Sequence, residues 1–380
     1  MKGKFDKEIK TCTRCILSTQ NVKQISFDEK GVCNYCHYYD EVTKSLGTSD
    51  EKKRYIDAKI KEMKVSGKGK KYDCILGVSG GTDSSYLAYW AKQQGLRPLV
   101  VHFDNGWNSE LAVKNIQSIC DKLGFELFTL IINWEEFKQL QLAYLKAGVI
   151  DIEVLTDHAI MATIYEIARK QKIRYTLSGF NYATEAIMPV GWTHEKKDFR
   201  NIKDINKQYG KLKIKQFPHV NFLKKFYIHY LTKFESIPVL NYINYNKEKA
   251  KEILINELGW RDYGGKHYES TFTKFYQAYI LPKKFGVDKR IAHLSNLICS
   301  GQITKEAAYK ELEEPLYSPN ELKSDKEYVA KKFDLTVEEF DKIMEYPPRS
   351  HFDFKTENDL WNSYFNMIKR VKFWKRVKVK

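Results

Sequence analysis

Short apolar runs alternate with stretches of helical periodicity through the middle of the chain. The apolar runs cover residues 73–78, 99–103, 126–132 and 174–177, and the helical stretches cover 83–94, 109–123, 134–147 and 157–171. Within the second helical stretch, apolar side chains recur at helical spacing and keep mostly to one face. Strands that alternate with helices predict an open α/β domain whose parallel sheet is covered on both faces, and such sheets bind ligands at the carboxyl ends of their strands.

The regions on either side of this alternation differ in character. Residues 47–71 are highly charged and predict a surface helix followed by a flexible linker. Residues 187–240 are basic and rich in aromatic residues, and we expect loops and helices that cover the site. Further on, the pattern predicts helices near 246–258, 271–280, 287–299, 304–313, 325–333, 336–344 and 356–370. The predicted units are a cysteine-bearing segment (8–46), the helix and linker (47–71), the α/β domain (72–240) and a mainly helical C-terminal region (241–380) that completes the active site.

The composition is that of a folded protein with a sizeable core. The 380 residues are 43% hydrophobic and 14% aromatic, which excludes disorder as the main state. No apolar run reaches the length of about 18 residues that suggests a membrane-spanning helix. Residues 1–10 lack the apolar core of a signal peptide, so the cytoplasm is the expected compartment.

The net charge of +16 is concentrated in two segments. Residues 369–380 carry seven basic and no acidic side chains, and residues 194–235 carry eleven basic and four acidic ones. A local basic surface suits RNA, an anionic sugar nucleotide or an acidic partner protein. A solvated face without a specific ligand is an equally good interpretation, because basic runs alone carry no specificity.

Two CxxC pairs, Cys12/Cys15 and Cys33/Cys36, lie in a segment with few aliphatic residues. Each CxxC turn presents two thiolates to one metal, and two such turns complete the tetrahedron of a structural zinc ribbon. Because the segment is too short to fold on hydrophobic burial, metal binding would fold it. His37 directly follows Cys36 and is an alternative fourth ligand. The odd total of seven cysteines indicates metal binding in a reducing compartment rather than a disulfide framework.

A glycine pair, Gly80 and Gly81, follows the first predicted strand and leads into a helix. The two glycines let backbone N–H groups approach an anion, and the positive end of the following helix points at it. Hydroxyl donors are available nearby from Ser79, Thr82 and Ser84. The segment lacks both the Walker pattern and the GxGxxG pattern. It therefore predicts a phosphate-binding loop of another kind.

The stretch Ser79–Ser84 resembles the SGGxDS loop of the N-type ATP pyrophosphatases, the superfamily of asparagine, argininosuccinate and GMP synthetases and of tRNA thiolation enzymes. The resemblance implies that ATP is cleaved between its α- and β-phosphates, that a carbonyl-type oxygen is adenylated, and that a nitrogen or sulfur nucleophile displaces AMP. It also implies that the loop grips pyrophosphate and that Asp83 helps to place Mg²⁺.

Two further stretches, Val101–Trp107 and Leu177–Glu185, resemble later motifs of the same superfamily at the ends of strands. The resemblance implies nucleotide or site contacts from Asp104, Asn105, Gly179, Asn181 and Glu185. A lone Asp or Asn in a loop is more often a cap or turn residue, so that interpretation stays open for each of them.

From the CxxC pairs to about Leu312, the chain is similar to the N-acetyl sugar amidotransferases of bacterial surface-polysaccharide and O-antigen pathways. The matching stretches are the two CxxC pairs, Ser79–Ser84, Thr156–Ile160, Tyr263–Ser270, Asp288–Arg290 and His293–Ser295. The resemblance implies a synthetase subunit that adenylates an acetamido group of a nucleotide-linked sugar and replaces its oxygen by ammonia. The product would be an acetamidino sugar, and the implied cofactors are ATP, Mg²⁺ and structural Zn²⁺.

Four residues are candidates for the chemistry at the reacting carbon. Lys266 is the candidate cation for the α-phosphate, although a surface lysine is the plain alternative. His267 and Glu269 lie beside it in the sequence and could share metal, proton or substrate duties. Asp157 is the fourth candidate, with His158 next to it as a further one, although Thr156-Asp157 could equally start a helix.

The family's ammonia comes from a separate glutaminase, and this chain shows no glutaminase signature of its own. Lys2 follows Met1, so no cysteine nucleophile is exposed at the N-terminus, and a GxCxG nucleophile elbow is absent. The resemblance therefore implies a partner subunit of the class I glutamine amidotransferase type.

Two other functions remain as alternatives. A tRNA thiolation enzyme would adenylate a nucleobase carbonyl, but sulfur transfer usually needs a second set of cysteines. Outside the ribbon, Cys74, Cys120 and Cys299 are not near one another in sequence. An ATP-dependent RNA-binding or adaptor protein is supported by charge alone.

Overall fold

The computed structural model describes residues 9–263, 269–358 and 360. The strands of this part of the chain are β1 (Cys74–Val78), β2 (Pro98–Asp104), β3 (Glu126–Ile131), β4 (Tyr175–Ser178) and β5 (Glu235–Pro238). They form one parallel sheet in the order β3-β2-β1-β4-β5. The predicted open α/β class is therefore confirmed, and four of the five strands lie where the apolar runs predicted them.

The described residues also form fifteen α-helices. They are α1 (Asn34–Ser45), α2 (Ser49–Ser66), α3 (Thr82–Gln93), α4 (Glu110–Leu123), α5 (Trp134–Ala147), α6 (Val154–Lys170), α7 (Tyr182–Glu185), α8 (Phe199–Tyr209), α9 (Phe222–Leu231), α10 (Lys247–Leu258), α11 (Thr271–Phe275), α12 (Lys289–Cys299), α13 (Lys305–Glu313), α14 (Pro319–Lys332) and α15 (Val337–Met344). Side-chain caps fix many of their starts; Ser109, for example, accepts the N–H of Ala112 at the start of α4. Within the described ranges, no helix is long and apolar enough to cross a membrane.

The structure departs from the predicted elements in two places, and a third prediction stays untested. β5 lies in a region that we expected to hold only loops and helices; with four residues, of which only Ile237 is buried, it gives no readable alternation. The predicted helix at 271–280 ends as an α-helix at Phe275 and continues as a π-helix, Tyr276–Phe285. Most of the predicted helix at 356–370 falls outside the described residues.

The strand order places a crevice at the carboxyl end of β1. This strand pairs with β2 on one side and with β4 on the other. The chain therefore adds β2 and β3 on one side of β1 and then crosses over to add β4 and β5 on the other side. Ligands of open α/β sheets bind at such a switch point. Because α6 leads into the start of β4, its N-terminus lies at the same edge of the sheet as the end of β1.

The cysteine-bearing segment takes much of its core from the C-terminal helices. Ile16 packs with Leu294, Leu297 and Ala308 of α12 and α13. The ammonium group of Lys305 donates to the Cys12 carbonyl at 2.6 Å. The segment has too few apolar side chains to form a core alone, and these contacts show which surface completes its core.

We predict that Leu76→Ala lowers the free energy of unfolding by about 2–5 kcal/mol, because it opens a cavity in the central strand. Leu76 has 0% of its surface exposed in β1, whereas Leu223 on α9 is 76% exposed. Urea unfolding checks this, with Leu223→Ala as the control that changes stability by less than about 0.5 kcal/mol. Equal effects of the two substitutions would contradict the described core.

Candidate functional site

The predicted phosphate loop connects β1 to α3 and is partly open to solvent. Its N-cap residue, Gly81, has no side chain to cap the first turn of α3, so the N–H groups there can serve an anion. Ser79 and Ser84 close the loop, because the Ser84 hydroxyl lies 3.3 Å from the Ser79 nitrogen. The Gly81 N–H donates to the Ser79 hydroxyl oxygen at 3.3 Å. The arrangement is that of an anion-binding turn at a helix N-terminus.

The carbonyl of Gly80 is held by side chains from the segment that follows α10. It accepts hydrogen bonds from Trp260 Nε1 at 2.7 Å and from the Tyr263 hydroxyl at 2.8 Å. Asn115 on α4 donates in turn to the Tyr263 hydroxyl at 2.9 Å. Gly80 has φ +87°, and a Cβ there would lie 2.8 Å from the Tyr263 hydroxyl. Only glycine fits this backbone without strain.

Asp83 lies in the first turn of α3 and faces a buried tyrosine, Tyr245. The Tyr245 hydroxyl donates a hydrogen bond to Asp83 Oδ1. Burial, followed by the charges of Asp83 and Glu185, raises the pKa of Tyr245 far above its usual value. The phenol therefore stays protonated and donates to Asp83. Of the carboxylates singled out in the sequence, Asp83 is thus fixed by a direct hydrogen bond, and the charge of Glu185 acts on the same tyrosine.

Glu269 also reaches the phosphate loop. Its Oε1 lies 3.4 Å from the position that a Cβ on Gly81 would occupy. Backbone pairing holds it there, because the Ser109 N–H donates to the Glu269 carbonyl at 2.9 Å. The other two candidates of this segment, Lys266 and His267, lie outside the described residues.

At the end of β2, Asp104 and Asn105 shape the turn that follows. Asp104 Oδ1 accepts from the Gly106 N–H at 2.8 Å, and Asn105 Oδ1 accepts from the Trp107 N–H at 3.1 Å. The Asn105 amide also donates to the Thr156 hydroxyl on α6 at 3.3 Å. These contacts are typical of turn residues. Both residues nevertheless lie at the strand end where the resemblance implies nucleotide contacts, and that role stays a prediction.

At the end of β4, Gly179 lies against the phosphate loop, whereas Asn181 caps a helix. A Cβ on Gly179 would be 3.5 Å from the Ser84 nitrogen. Asn181 is fully buried and accepts from the N–H and the hydroxyl of Thr184 at 3.0 and 3.1 Å. These contacts favour the cap interpretation for Asn181 and place Gly179 at the site.

Asp157 lies at the N-terminal end of α6 in a recess, and 47% of its side chain remains accessible. Lys196 joins it to the fully buried Asp151, with Nζ–carboxylate distances of 3.0 Å and 2.8 Å respectively. Desolvation in the recess raises the pKa of the Asp157 carboxyl, although Lys196 opposes this shift. Because α6 begins at Val154, Asp157 is not its N-cap but the acidic residue of its first turn, where a carboxylate favours a helix start.

Part of the basic stretch 194–235 points inward rather than toward a ligand. Lys196 serves the two carboxylates just described, and Lys225 pairs with Glu357. His158 is buried; its Nδ1 lies 2.9 Å from the Lys196 carbonyl, and its Nε2 accepts from the Val220 N–H at 3.1 Å. Burial lowers the pKa of His158 to about 4, so the ring is neutral at neutral pH, and both of its nitrogen atoms already contact backbone groups.

The four ribbon cysteines form one buried cluster whose Sγ atoms all lie within 4.8 Å of one another. Cys12 and Cys36 are 3.8 Å apart at sulfur, and Cys15 and Cys33 are 3.7 Å apart. A tetrahedron with zinc–sulfur bonds of about 2.3 Å has sulfur–sulfur edges of about 3.8 Å, so the cluster fits Zn²⁺. His37 instead contacts Asp28, with Nε2 3.0 Å from the carboxylate.

Comparison with protein-family models gives two matches that together cover both halves of the described site. Residues 73–209 match queuosine biosynthesis protein QueC, and residues 269–372 match the family described as LPS biosynthesis protein WbpG-like, C-terminal domain. The chain combines an ATP-pyrophosphatase-type domain with a WbpG-like C-terminal domain. The ATP-pyrophosphatase-type domain supports an ATP-using synthetase or ligase activity.

Curated relatives are more distant or shorter in their match. An uncharacterized protein of Methanocaldococcus jannaschii is 22% identical over 312 residues, 80% of this chain and 93% of that protein. A tRNA(Ile)-lysidine synthase of Chlamydia pneumoniae is 37% identical over 71 residues, 18% of this chain and 22% of that protein. A tRNA-specific 2-thiouridylase MnmA of Pseudoalteromonas translucida is 38% identical over 85 residues, 20% of this chain and 23% of that protein. Against these last two, the match spans less than a quarter of the relative.

Among solved structures, NMN synthetase from Francisella tularensis aligns with a TM-score of 0.33 at 13% identity, covering 79% of this chain and 94% of that one.

Sequence reasoning missed the residues that hold the site from a distance. Tyr245 and Trp260 contact the phosphate loop, yet they lie more than 150 positions away and follow no motif. Tyr263 is the first residue of the matched stretch 263–270, but nothing in the sequence links it to Gly80. Lys196 lies in a basic segment and gives no sign there of its two acidic partners. Only the closeness of Trp260 to the stretch 263–270 could have drawn attention to it.

We predict that Gly80→Ala weakens binding of a non-hydrolysable ATP analogue by roughly tenfold or more, because the loop can no longer present its N–H groups. A Cβ there meets the Tyr263 hydroxyl at 2.8 Å and the Ala112 carbonyl at 3.0 Å. Calorimetric titration of the protein with the ATP analogue, in the presence of Mg²⁺, measures the affinity.

Gly191 provides the matched control for this substitution. It has φ +86°, and a Cβ there meets nothing within 4 Å. Gly191→Ala therefore carries the same backbone strain without the clash. Equal ATP affinities of the two variants would show that the loop is not the nucleotide site.

Proposed function

We propose that this protein is the synthetase subunit of an ATP-dependent amidotransferase that converts an acetamido group of a nucleotide-linked sugar into an acetamidino group. The observation that carries the proposal is the junction of the phosphate loop with Glu269, the first residue matched by the WbpG-like domain. That domain is described as belonging to lipopolysaccharide biosynthesis. A sugar of surface polysaccharide or O-antigen is therefore the substrate class we favour.

An acetamido carbonyl is too poor an electrophile to react with ammonia at neutral pH. Transfer of AMP to its oxygen releases pyrophosphate and creates a good leaving group on the carbon. Ammonia then adds, and AMP departs with the former carbonyl oxygen, so that C=O has become C=NH. In this scheme, the N–H groups at the start of α3 hold the pyrophosphate, and the Ser79 and Ser84 hydroxyls add hydrogen bonds.

The carboxylates around the loop suit a metal ion better than a phosphate. Asp83 and Glu269 both lie at the phosphate loop, where a direct approach to phosphate oxygens would be repulsive. Oxygen ligands of this kind hold Mg²⁺, which would neutralise charge on the leaving pyrophosphate. Tyr245 keeps Asp83 in place by donating to one of its oxygens.

We assign the role of general base to Asp157. It lies at the same edge of the sheet as the phosphate loop, in a recess lined also by Ile160, Thr176 and Ser236. Lys196 orients its carboxylate. As a base, Asp157 would take a proton from the nitrogen of ammonia once it has added to the carbon, so that AMP can leave and C=NH can form. The residues Lys266 and His267 remain candidates for the α-phosphate and for proton transfer.

A separate class I glutaminase would supply the ammonia. The WbpG-like match supports a synthetase subunit, and the chain carries no glutaminase motif of its own. A pulldown of the full chain from its host should return such a protein, and the purified chain alone should use ammonium but not glutamine.

The positions of the remaining cysteines do not favour tRNA thiolation. In the described part of the chain, Cys74 is the first residue of β1 and Cys120 lies in the core on α4. Cys299 lies beside the ribbon. None of these three thiols is placed at the phosphate loop, where a persulfide or a resolving cysteine would be needed.

The full chain with ATP, Mg²⁺ and ammonium should form AMP and pyrophosphate only when a suitable nucleotide-linked acetamido sugar is added. Liquid chromatography with mass spectrometry detects both AMP and the amidine. We predict that Asp83→Asn lowers kcat by roughly 100-fold, because it weakens the metal site while keeping the shape of the side chain.

Asp121→Asn on the exposed face of α4 is the control and should leave kcat unchanged. ADP as the product, or AMP formed only with tRNA, would contradict the proposed reaction.

The fall in rate on the acid side of the pH–rate profile (the acid limb) tests whether Asp157 acts as a base. Only the deprotonated carboxylate can act as a base, so activity falls as the pH drops through its pKa. Since desolvation raises that pKa, we predict that activity is lost at a higher pH than for an ordinary carboxyl group. Asp157→Asn should remove this limb and lower kcat, whereas Glu166→Gln on the same helix should keep it. An unchanged limb in Asp157→Asn would exclude this role.

A further inference from the structure

Cys299 lies at the end of α12 and contacts the ribbon from outside the zinc tetrahedron. Its Sγ is 3.6 Å from Cys36 Sγ, yet it does not belong to the cluster of four mutually close sulfur atoms. With Zn²⁺ bound, Cys36 is a thiolate and can accept the S–H of Cys299. The geometry therefore gives one zinc ligand a free thiol as its immediate neighbour.

The five thiols differ in their access to solvent. The four ribbon cysteines are at most 1% exposed, whereas Cys299 is partly exposed. The guanidinium of Arg14 lies next to it and donates to the Cys299 carbonyl at 3.4 Å. A partly exposed thiol near a cation is the kind that oxidants reach first.

We propose that Cys299 is a peroxide-reactive residue that forms a disulfide with Cys36 and thereby releases the zinc ion. In the first step, hydrogen peroxide or an organic hydroperoxide oxidises the Cys299 thiol to a sulfenic acid, and water or an alcohol leaves. In the second step, the Cys36 thiolate attacks the sulfenic sulfur, the S–O bond breaks, and hydroxide leaves. The hydroperoxide accepts the two electrons that the two cysteines lose.

A disulfide between Cys36 and Cys299 would also affect the structure beyond the metal site. Disulfide formation leaves Zn²⁺ with three thiolates instead of four, which no longer complete a closed structural site. α12 also packs on α7 at the end of β4, where Asn296 bonds both backbone groups of Ile187 at 2.7 and 3.0 Å. The oxidised cysteine thus lies on the helix that links the ribbon to the strand end beside the phosphate loop.

The test uses the zinc-loaded full chain and hydrogen peroxide, and it needs no substrate. Zinc release is followed with a chromogenic chelator, and disulfides are mapped by mass spectrometry of unreduced peptides. We expect a Cys36–Cys299 disulfide that forms together with zinc release, and recovery of both thiols and metal after treatment with dithiothreitol and zinc.

Two variants separate this pathway from general oxidation. Cys299→Ser should still bind zinc, because Cys299 is not a ligand, and should release it roughly tenfold more slowly under peroxide. Cys120→Ser, which alters a buried thiol on α4, should behave like the unmodified chain.

Three results would overturn the proposal. They are disulfides only among the ribbon cysteines, equal zinc release from Cys299→Ser and the unmodified chain, and a Cys299→Ser chain that cannot bind zinc. The last result would make Cys299 a ligand instead of a reactive neighbour.

Discussion

The hydrogen bonds on the carbonyl of Gly80 are the constraint on which the rest of the site depends. A trans peptide holds its C=O and N–H on opposite sides, so fixing the carbonyl also fixes the direction of the next N–H. Trp260 and Tyr263 hold that carbonyl at 2.7 and 2.8 Å. The N–H of Gly81 then points to the Ser79 side of the loop, where the first turn of α3 also opens. The shape of the phosphate loop is therefore maintained from outside the loop.

This dependence makes the site a property of the whole chain. Tyr245, Trp260 and Tyr263 reach the loop from the segment after the sheet. Glu269 reaches it by backbone pairing with Ser109, the N-cap residue of α4. The ribbon packs on α12 and α13, and α12 packs on the turn that follows β4. These described parts each contact an element that borders the crevice, so the ribbon, α12 and α13 support the α/β domain that carries the phosphate loop.

Much of this architecture could be predicted because it follows from local patterns. Buried parallel strands are continuous apolar runs, the phosphate loop is a contiguous motif, and the ribbon cysteines occur at a fixed spacing. The rest depends on tertiary contacts that leave no periodic trace. β5 has four residues and ends in a proline, which an edge strand tolerates but a pattern search rejects. Asn181 shares its motif with Gly179, yet its side chain is used as a helix cap. Lys196 is a basic residue in a basic segment, and only the fold reveals that two acids surround it.

The central claim is that the oxygen of the acetamido group leaves the sugar on AMP. A nucleotide-linked acetamido sugar labelled with ¹⁸O in its acetamido carbonyl, incubated with the full chain, ATP, Mg²⁺ and ammonium, tests this directly. Mass spectrometry of the recovered AMP should find the label in its phosphate, with an unlabelled amidine sugar as the second product. Label that is retained in the sugar, or that is released only as water, would contradict the account.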